Sequence, residues 1–412
     1  MIAAEPVPLR RNRDFVLLQI GQLLSTTGTQ ATAIAYPLLV LATTHSPAQA
    51  GVVGFANVVP YVLFGLFAGV AADRWNRKRL MLVSDAIRIA AIGTLVLALA
   101  LDRLTFAQIA IVAFVEGSAF VFFNIAEVGA LRSVVTGPQL PDAAAAEQAR
   151  YATVTLVGPS LGGALFGVGR AVPFLVDVVS YIFSFVSLAA MRTPFQEQRA
   201  ADTTRLRTQI ADGFRFLWQQ PFLRTCALIF AGSNFTFQGL FLVFVVVAKR
   251  HGLSSFGIGA CIGLFGAVAL VGSIAAPLFT RLLSMRMIVV LNLWVAVAIA
   301  LFVVWPNVYV LLACNLPTAF VLPALNSVVI GYRTAVTPDH LIGRVSSVAR
   351  TTALVAQPLG PLAAGLLLGA FSARATVIVL ALVCLGLASF STLSPAIRTS
   401  PSLDELDALP VT

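Results

Sequence analysis

Charged residues are scarce in this chain of 412 residues. Asp, Glu, Lys and Arg together make up 11% of the sequence, whereas 58% is hydrophobic and the mean hydropathy is +0.92. So few charges cannot cover the apolar surface of a water-soluble globule. This shortage excludes an ordinary soluble protein and indicates a polytopic membrane protein.

Cysteine and histidine are also rare, and sequence motifs for catalysis are absent. The four cysteines lie in apolar stretches without ligand spacing, which argues against a disulfide framework or a metal site. The chain has no Gly-x-x-x-x-Gly-Lys-Ser/Thr loop, so ATP-driven pumping by this chain is unsupported. It also has no nucleophile elbow and no soluble domain with paired catalytic carboxylates. We therefore expect neither an enzyme nor a cofactor.

Long apolar stretches recur along nearly the whole sequence. A helix needs about 20 residues to cross about 30 Å of hydrocarbon. The first stretch is longer than the core of a signal peptide, so we interpret it as a retained helix. The pattern predicts an all-α polytopic membrane protein with twelve transmembrane helices in two six-helix pseudo-symmetric bundles. The predicted spans are 15–42, 48–72, 79–101, 105–131, 148–169, 171–191, 222–248, 255–280, 286–305, 308–332, 345–370 and 374–395.

The basic residues predict the orientation, because cytoplasmic loops retain Lys and Arg. With the N-terminus inside, 21 of the 27 basic residues fall on the inner side, five fall outside and Arg88 lies within a span. This asymmetry predicts a multi-pass protein of the cell (inner) membrane with cytoplasmic N- and C-termini. The net charge of +10 is then a topology signal rather than a nucleic-acid-binding surface.

The sequence repeats itself in two halves separated by a polar segment. Gly65, Asp73-Arg74 and Arg79 match Gly272, Thr280-Arg281 and Arg286 at an offset of 207 residues, and the run that begins at Gly158-Pro159 resembles the run at Gly360-Pro361. Repeated six-helix halves are typical of secondary transporters. The predicted organisation is an N-terminal bundle at 1–191, a cytoplasmic linker with a short amphipathic helix at 192–221, a C-terminal bundle at 222–395 and a cytoplasmic tail at 396–412.

The segment from Gly69 to Arg79, Gly-Val-Ala-Ala-Asp-Arg-Trp-Asn-Arg-Lys-Arg, resembles the loop motif of the major facilitator superfamily. The resemblance extends over almost the entire chain through the six-plus-six layout. It implies a cytoplasmic gate in which glycines allow close helix packing and an acid and basic residues lock one state. The alternative is that the basic residues only anchor the loop. The gate residues would be Gly65, Gly69, Asp73, Arg74, Arg77 and Lys78.

The fifth span contains a packing motif formed by Gly158, Pro159, Gly162 and Gly163, which resembles a motif associated with exporters of this superfamily. Proline kinks a membrane helix and glycine permits tight packing, so ordinary packing is the alternative interpretation. Finer similarities point to the branch that contains macrolide-efflux and enterobactin exporters. They are Gly21 to Ser25, Asn124 before Glu127, Pro173 to Asp177 and Gly343 to Val345.

Ionisable residues inside membrane spans suggest function because they are costly to bury. Glu116 and Glu127 lie about three helical turns apart on nearly one face, and we predict that they couple transport to protons; a structural glutamate is the alternative for Glu116. Glu127 also lies near Arg132, which suits a gate network. We expect a structural pair between Asp85 and Arg88 and a structural role for Asp177, held by Arg170 or water.

Two departures from the family pattern limit these assignments. Thr29 stands after Gly28 where relatives of this branch often have Asp, and Ala113 stands where an arginine would precede Glu116-Gly117. Coupling through that arginine is excluded here.

Neutral polar and aromatic side chains in the spans are candidates for a substrate cavity that accepts a bulky amphipathic molecule. We predict an exporter of such a molecule that works by alternating access with proton antiport. Its expected partners are a small-molecule substrate, protons and the lipid bilayer, without nucleic acid, and it is expected to be a monomer. A proton-coupled importer and a non-transporting membrane module remain alternatives. The cavity candidates are Thr29, Gln30, Asn57, Phe120, Asn124, Asn234, Gln238, Asn326 and Gln357.

Overall fold

The computed structural model describes residues 8–195 and 206–400, and the side chains of five residues within these ranges lie outside the description: Leu66, Asp73, Leu206, Arg207 and Gln209. The described chain is built from helices. In the first half of the sequence they are α1 (Arg13–Thr44), α2 (Pro47–Arg74), α3 (Arg77–Ala100), α4 (Phe106–Val134), α5 (Leu140–Val168) and α6 (Val172–Ala190).

The second half begins with the linker helix and continues with shorter and more interrupted segments. These are α7 (Leu206–Gln219), α8 (Pro221–Arg250), α9 (Ser255–Leu282), α10 (Met285–Ala296), α11 (Leu301–Val304), α12 (Val308–Val336), α13 (Ile342–Leu354), α14 (Leu359–Ala370), α15 (Ala373–Leu393) and α16 (Pro395–Arg398). Two predicted spans are therefore each divided between helices. A 3-10 turn at Val297–Ala300 joins α10 to α11, and a turn at residues 355–358 separates α13 from α14.

Eleven segments of the described chain are long and apolar enough to cross a membrane. Helix α1 is not among them, although it is 32 residues long. Its middle carries Thr26, Thr27, Thr29, Gln30 and Thr32, which lower its hydropathy. The all-helical membrane fold is confirmed, and α1 is the most polar of the predicted spans.

The chain forms two compact units. The first comprises Met1–His45, Ala56–Ala201 and Leu253–Gly263, and the second comprises Ser46–Phe55, Asp202–Gly252 and Leu264–Thr412. The beginning of α2 thus belongs to the second unit and the beginning of α9 to the first. The domain boundaries predicted from the sequence stay a prediction, and residues 196–205 of the linker and 401–412 of the tail lie outside the described residues.

Within the first unit, α1 packs against α5 and α6, while α3 packs against α4 and α6. Glycines of the fifth-span motif make the closest approaches. A Cβ atom at Gly162 would clash with the backbone of Ala31, and one at Gly158 would lie 2.5 Å from the Cβ of Gln30. Helix α5 can therefore lie against α1 only because these positions lack side chains.

Within the second unit, α8 packs against α13, α14 and α15, and the linker helix α7 packs against α13. The short amphipathic helix expected in the linker is present. Its Leu217 is fully buried, whereas Phe214 and Trp218 stack with ring centroids 4.8 Å apart and stay partly exposed. Asp212 of α7 forms an ion pair with Arg344 of α13 at 3.1 Å. Together, the buried apolar face and this ion pair fix the linker helix on α13.

Candidate functional site

Three helices of the first unit bring ionisable side chains into one buried cluster. Asp85 and Arg88 lie on α3, Glu116 on α4 and Asp177 on α6, and their exposed fractions are 0%, 1%, 3% and 0%. Helix α1 contributes hydroxyl groups along its polar middle. We call these four ionisable residues and the hydroxyl-bearing and aromatic residues that contact them the buried cluster.

Glu116 is held by phenolic hydroxyls. The hydroxyl of Tyr36 donates to Glu116 Oε2 at 2.5 Å, and that of Tyr181 donates to Oε1 at 3.2 Å. Thr29 Oγ1 lies 2.9 Å from the same Tyr181 hydroxyl. Among the described residues, Glu116 forms no ion pair. The carboxyl group is thus surrounded by groups that hydrogen-bond it without neutralising a charge on it.

Asp177 is held in the same manner by aliphatic hydroxyls. Thr32 Oγ1 donates to Asp177 Oδ2 at 3.1 Å, and Ser180 Oγ lies 3.1 Å from Asp177 Oδ1. Gly28 of α1 lies directly beside this pair, and a Cβ at that position would clash with Asp177 and Ser180. The sequence suggested Arg170 or water as the partner of Asp177; the described protein partners are these hydroxyls rather than Arg170, because α1 approaches α6 closely enough to supply Thr32.

Asp85 and Arg88 form the expected pair, with Arg88 Nη1 3.6 Å from Asp85 Oδ1. Ser184 donates to Asp85 Oδ2 at 2.7 Å and accepts from Gln22 Nε2 at 3.3 Å. Asp85 of α3 is thus paired with Arg88 of the same helix and hydrogen-bonded to Ser184 of α6. Ser184 is in turn hydrogen-bonded to Gln22 of α1.

The guanidinium of Arg88 is also placed over aromatic rings. It lies 4.5 Å from the ring centroid of Phe123, 4.9 Å from that of Tyr181 and 5.5 Å from that of Phe120. Within the described chain, its Nε and Nη2 atoms have no hydrogen-bond partner. Cation–π contacts stabilise the charge but leave these two donors free to bind an acceptor.

The charges of the buried cluster do not balance when every group is ionised. Asp85, Glu116 and Asp177 supply three negative charges, and Arg88 supplies one positive charge. An uncompensated charge inside a membrane protein is strongly disfavoured. Proton binding by carboxyl groups reduces the imbalance, so the composition of the cluster suits proton uptake and release.

Glu127 lies outside this cluster. Its Oε1 accepts from Arg150 Nη2 of α5 at 2.7 Å, and Arg150 also lies 3.7 Å from Glu147. The sequence suggested a polar stripe shared with Glu116 and proximity to Arg132. The structure gives Glu127 a different partner, because α5 presents Arg150 to the C-terminal half of α4. Glu127 is thus a charge-balanced residue, unlike Glu116.

The first residues of α3, Arg77 and Lys78, make contacts within the first unit. Arg77 donates to the carbonyls of Ala72 and Gly129 at 3.1 and 3.4 Å, and Lys78 Nζ donates to those of Ala189 and Met191 at 3.2 and 2.6 Å. Lys78 therefore binds the carbonyl end of α6, where cations are favoured by the helix dipole.

The other gate residues are Asp73, Arg74 and the two glycines of α2. Asp73 lies in the last turn of α2, as expected, but its side chain lies outside the description, and Arg74 is exposed. No described atom lies within 4 Å of a Cβ placed at Gly65 or Gly69. The close helix packing expected at these two glycines is therefore not present in this structure, because α4 contacts this part of α2 through Phe64, which meets Phe114 and Phe122, and not through the glycines.

The predicted cavity residues of the first unit divide between the cluster and its surroundings. Phe120 belongs to the buried cluster and Thr29 contacts its Tyr181, while Gln30 lies against Gly158. Asn57 donates to the carbonyl of Ala113 at 3.3 Å. Asn124 is half-buried. Position 113, where relatives would have an arginine, thus serves a helix contact between α2 and α4.

The predicted cavity residues of the second unit lie near the interruption between α13 and α14. Asn234 Nδ2 donates to the carbonyl of Ala353 at 3.1 Å, and Gln238 lies beside Gly360. Gln357 lies in the interrupting turn itself, whereas Asn326 is exposed on α12. Three of the four amides therefore lie around one broken helix.

The sequence reasoning missed several residues that complete the site. Tyr36, Thr32, Tyr181 and Ser184 supply hydroxyls to the three carboxyl groups, and Arg150 neutralises Glu127. A usable signal was present for α6: Asp177, Ser180, Tyr181 and Ser184 recur at helical spacing and form one polar face. No comparable signal indicated that Tyr36 would reach Glu116 across 80 residues.

The helical fold and a charged cluster inside the membrane-spanning region are typical of a multi-pass membrane transporter. The family model described as Major Facilitator Superfamily matches residues 18–291, and the chain belongs to this superfamily.

Similar proteins are found among efflux transporters. The chain is 29% identical over 432 residues to "Multidrug efflux pump Tap" of Mycobacterium tuberculosis, covering 96% of this chain and 95% of the relative. It is 26% identical to the protein of the same name from Mycolicibacterium fortuitum, covering 93% and 96%. "Macrolide efflux protein A" of Streptococcus pyogenes is 25% identical over 211 residues, 50% of this chain and 51% of the relative. The similarity to the Tap proteins therefore extends over nearly the whole chain.

Solved structures share the fold. A bacterial homolog of the human lysosomal transporter Spinster, in an inward-facing and unoccupied conformation, aligns with a TM-score of 0.76 at 17% identity and covers 95% of this chain and 98% of that chain. A variant of the nucleoside transporter NupG aligns with a TM-score of 0.74 at 12% identity and covers 92% and 99%.

Proposed function

We propose that this protein exports a hydrophobic or amphipathic small molecule by alternating access, driven by proton antiport. Similarity to the Tap multidrug efflux pumps over nearly the whole chain supports export of such molecules. The single observation that supports proton coupling is the hydroxyl-bound carboxyl group of Glu116 at the centre of the buried cluster, which has no ion-pair partner among the described residues.

Glu116 suits this role because its surroundings accept both of its protonation states. A protonated Glu116 leaves the cluster with less negative charge, while the two phenols still hydrogen-bond its oxygens. An ionised Glu116 can recruit the unused Nε and Nη2 donors of Arg88, which lies over the ring of Tyr181. Proton release would thus move Arg88 toward α4 and alter the packing between α3, α4 and α6. Such discrete repacking is the physical basis of a switch between states.

The other predicted residues receive supporting roles in this proposal. Arg77 and Lys78 hold helix ends at the cytoplasmic loop, and Asp73 and Arg74 complete the gate with Gly65 and Gly69. Glu127 with Arg150 stabilises the same region. We place the protein in the cell (inner) membrane as a monomer with both termini cytoplasmic, as the distribution of basic residues predicts.

The test uses purified protein in proteoliposomes, with ethidium and erythromycin as probes. We expect each probe to drive proton movement in the opposite direction in wild type. Glu116→Gln, which keeps the shape of the side chain but cannot bind or release a proton, should reduce probe-driven proton movement at least about tenfold, within the range expected for a positioned proton-transferring group.

Glu147→Gln is the matched control, because Glu147 is a partly exposed glutamate on α5 whose loss leaves Arg150 paired with Glu127. It should transport like wild type. Unchanged proton stoichiometry in Glu116→Gln would contradict the coupling role. Probe movement only in the same direction as protons would indicate an importer, and no flux of either probe would contradict drug export.

A further inference from the structure

Asp177 is a second buried carboxyl group that the proposed coupling through Glu116 does not use. It is fully buried, and its side-chain partners are the hydroxyls of Thr32 and Ser180. Among the described residues, it forms no ion pair. A carboxylate in the membrane-spanning region without a cation is costly, whereas a protonated carboxyl bound to hydroxyls is well accommodated.

Every element packed against Asp177 contributes identifiable groups. Helix α4 brings Glu116, α3 brings Arg88, α1 brings Tyr36, and α6 itself carries Tyr181. Helix α5 has no titratable side chain between Ala152 and Val168. Within the described ranges, the only cation that faces Asp177 is therefore Arg88, and its nearest carboxylate is Asp85 at 3.6 Å. Arg88 cannot neutralise three carboxylates at once.

Asp177 and Glu116 are connected through shared neighbours on α1. Tyr181 donates to Glu116 and contacts Thr29 Oγ1, and the carbonyl of Thr29 lies 3.0 Å from the Thr32 hydroxyl that reaches Asp177. A change in hydrogen bonding at one carboxyl group is thus transmitted to the other by two hydroxyls about one helical turn apart. Gly28 permits this arrangement, because a side chain there would displace Asp177.

From this geometry we propose that Asp177 is a second proton-binding residue, so that the protein exchanges two protons in each transport cycle, one at Glu116 and one at Asp177. This proposal rests on the proton-coupled function argued above. The ligand of the new site is the proton itself. Release of the proton from Asp177 is disfavoured while Glu116 carries a negative charge, and it is favoured when Arg88 is not bound to Glu116. The two carboxyl groups therefore titrate as a coupled pair.

Difference infrared spectroscopy tests the site without transport. Purified wild type in lipid nanodiscs is titrated with alkali, and the C=O stretch of protonated carboxyl groups is followed. We expect bands that disappear with rising pH, of which Asp177→Asn removes one and Glu116→Gln removes another. In Asp177→Asn, the Glu116 band should titrate over a different pH range from wild type, because the charge of its coupled neighbour is gone.

Two further variants keep the test decisive if Asp177→Asn folds poorly. Thr32→Val and Ser180→Ala each remove one hydroxyl from Asp177 and should shift the frequency of its band by more than that of the Glu116 band. If none of the three substitutions alters a titrating carboxyl band, Asp177 does not exchange a proton and the proposal is overturned. An Asp177 band that persists unchanged through the titration overturns it as well.

Transport measurements then give the number of protons exchanged for each molecule of probe. With ethidium in proteoliposomes, the ratio of protons to probe should fall by about half from wild type to Asp177→Asn, and an unchanged ratio would contradict the proposal. The infrared result is independent of the probe. Absence of ethidium or erythromycin flux in wild type would therefore contradict the proposed export function, while two titrating bands would still establish Asp177 as a proton site.

Discussion

The two units of the molecule differ in what they bury. The interior of the first contains Asp85, Arg88, Glu116 and Asp177, together with the balanced pair Glu127–Arg150. In the described part of the second unit, the buried polar side chains carry no charge: they are Thr225, Thr236, Asn292, Thr337, Thr376, Ser391 and Ser394. A neutral interior cannot exchange protons with a driving gradient, so the difference favours the first unit as the place of proton coupling.

The second unit has a different irregularity. Its α13 and α14 are separated by a turn, whereas the corresponding helix of the first unit, α5, continues through Gly158-Pro159. Asn234 binds the carbonyl of Ala353 just before the interruption. Broken membrane helices expose backbone groups that bind ligands or require polar side chains. The comparison favours a division in which the first unit binds protons and the second contributes neutral polar groups to substrate recognition.

Among substitutions that test the charged interior of the first unit, Arg88→Met is expected to cause the largest loss of stability. It leaves Asp85 buried without its counter-charge, and breaking a buried pair in this manner costs about 3–5 kcal/mol. Thermal unfolding of the purified variant in detergent should show a marked loss of stability. The double variant Arg88→Met with Asp85→Asn should recover a large part of it. A single variant as stable as wild type would mean that Arg88 does not balance the charges of the first unit.

Both units contain a glycine that packs directly against a glycine at the start of another helix, and substitutions at these two corresponding positions test how much the contacts stabilise each unit. A Cβ at Gly163 of α5 would lie 3.1 Å from Gly259 Cα at the start of α9, and a Cβ at Gly365 of α14 would lie 2.7 Å from Gly51 Cα at the start of α2. Both contacts are between helix backbones that cannot yield locally. We expect Gly163→Ala and Gly365→Ala each to destabilise by about 1–3 kcal/mol, as overpacking does.

Matched controls are available on α5 and α15. Gly167 and Gly386 have no described atom within 4 Å of an added Cβ. Alanine at these positions should stabilise slightly or leave stability unchanged, because alanine is the better helix former by about 1 kcal/mol. Equal thermal stability of all four variants would show that the glycine contacts contribute little in either unit.

Much of the architecture was predictable from the sequence, because length, hydropathy and basic loops act locally. The long helices, the linker helix and the Asp85–Arg88 pair depend on patterns within one helix, and the structure confirms them. The partners of Glu116 and Asp177 depend on contacts between helices distant in sequence. Helical periodicity places Tyr36 and Thr32 on α1, but only the packing that Gly28 permits brings them to the carboxyl groups.

The interruption after α13 was not predictable for a related reason. Gly360-Pro361 resembles Gly158-Pro159, and the sequence predicted one continuous span over each motif, at 345–370 and 148–169. The sequences before the two motifs differ, however, and Pro358 has no N–H group to donate to the carbonyl four residues earlier, so the backbone there forms a turn closed by bonds to the carbonyl three residues earlier. In α5 the corresponding stretch has no such additional proline, so that helix continues.

Asn234→Ala should separate the roles of the two units by function. The side chain binds the carbonyls of Phe230 and Ala353, and loss of such hydrogen bonds costs about 0.5–1.5 kcal/mol. We expect a weaker apparent affinity for ethidium, by a few-fold, with the ratio of protons to probe unchanged. Glu116→Gln should show the reverse pattern. A changed proton ratio in Asn234→Ala would contradict the proposed division between the units.

The smallest effect concerns an acid outside the spans. Burial raises the pKa of Asp14, but hydrogen bonds from the side chain and backbone of Thr193 and from the backbone of Arg192, together with the charge of Arg13, outweigh it and lower the pKa below its usual value. A lowered folded-state pKa means that the contribution to stability is complete above the unfolded-state value of about 3.9 and is lost as the pH falls through the folded-state pKa.

Asp14→Asn should therefore lower the midpoint of thermal unfolding at neutral pH, and the difference from wild type should shrink only in acid below about pH 4. Asp212→Asn in the second unit is the control, because the side chains of its ion pair with Arg344 are 41% and 28% exposed and such pairs contribute about 0–1 kcal/mol. A difference between Asp14→Asn and wild type that stays constant into acid would show that Asp14 acts through shape rather than charge. In that case the hydrogen bonds between Asp14 and the residues after α6 would stabilise the fold independently of pH, as the neutral interior of the second unit does.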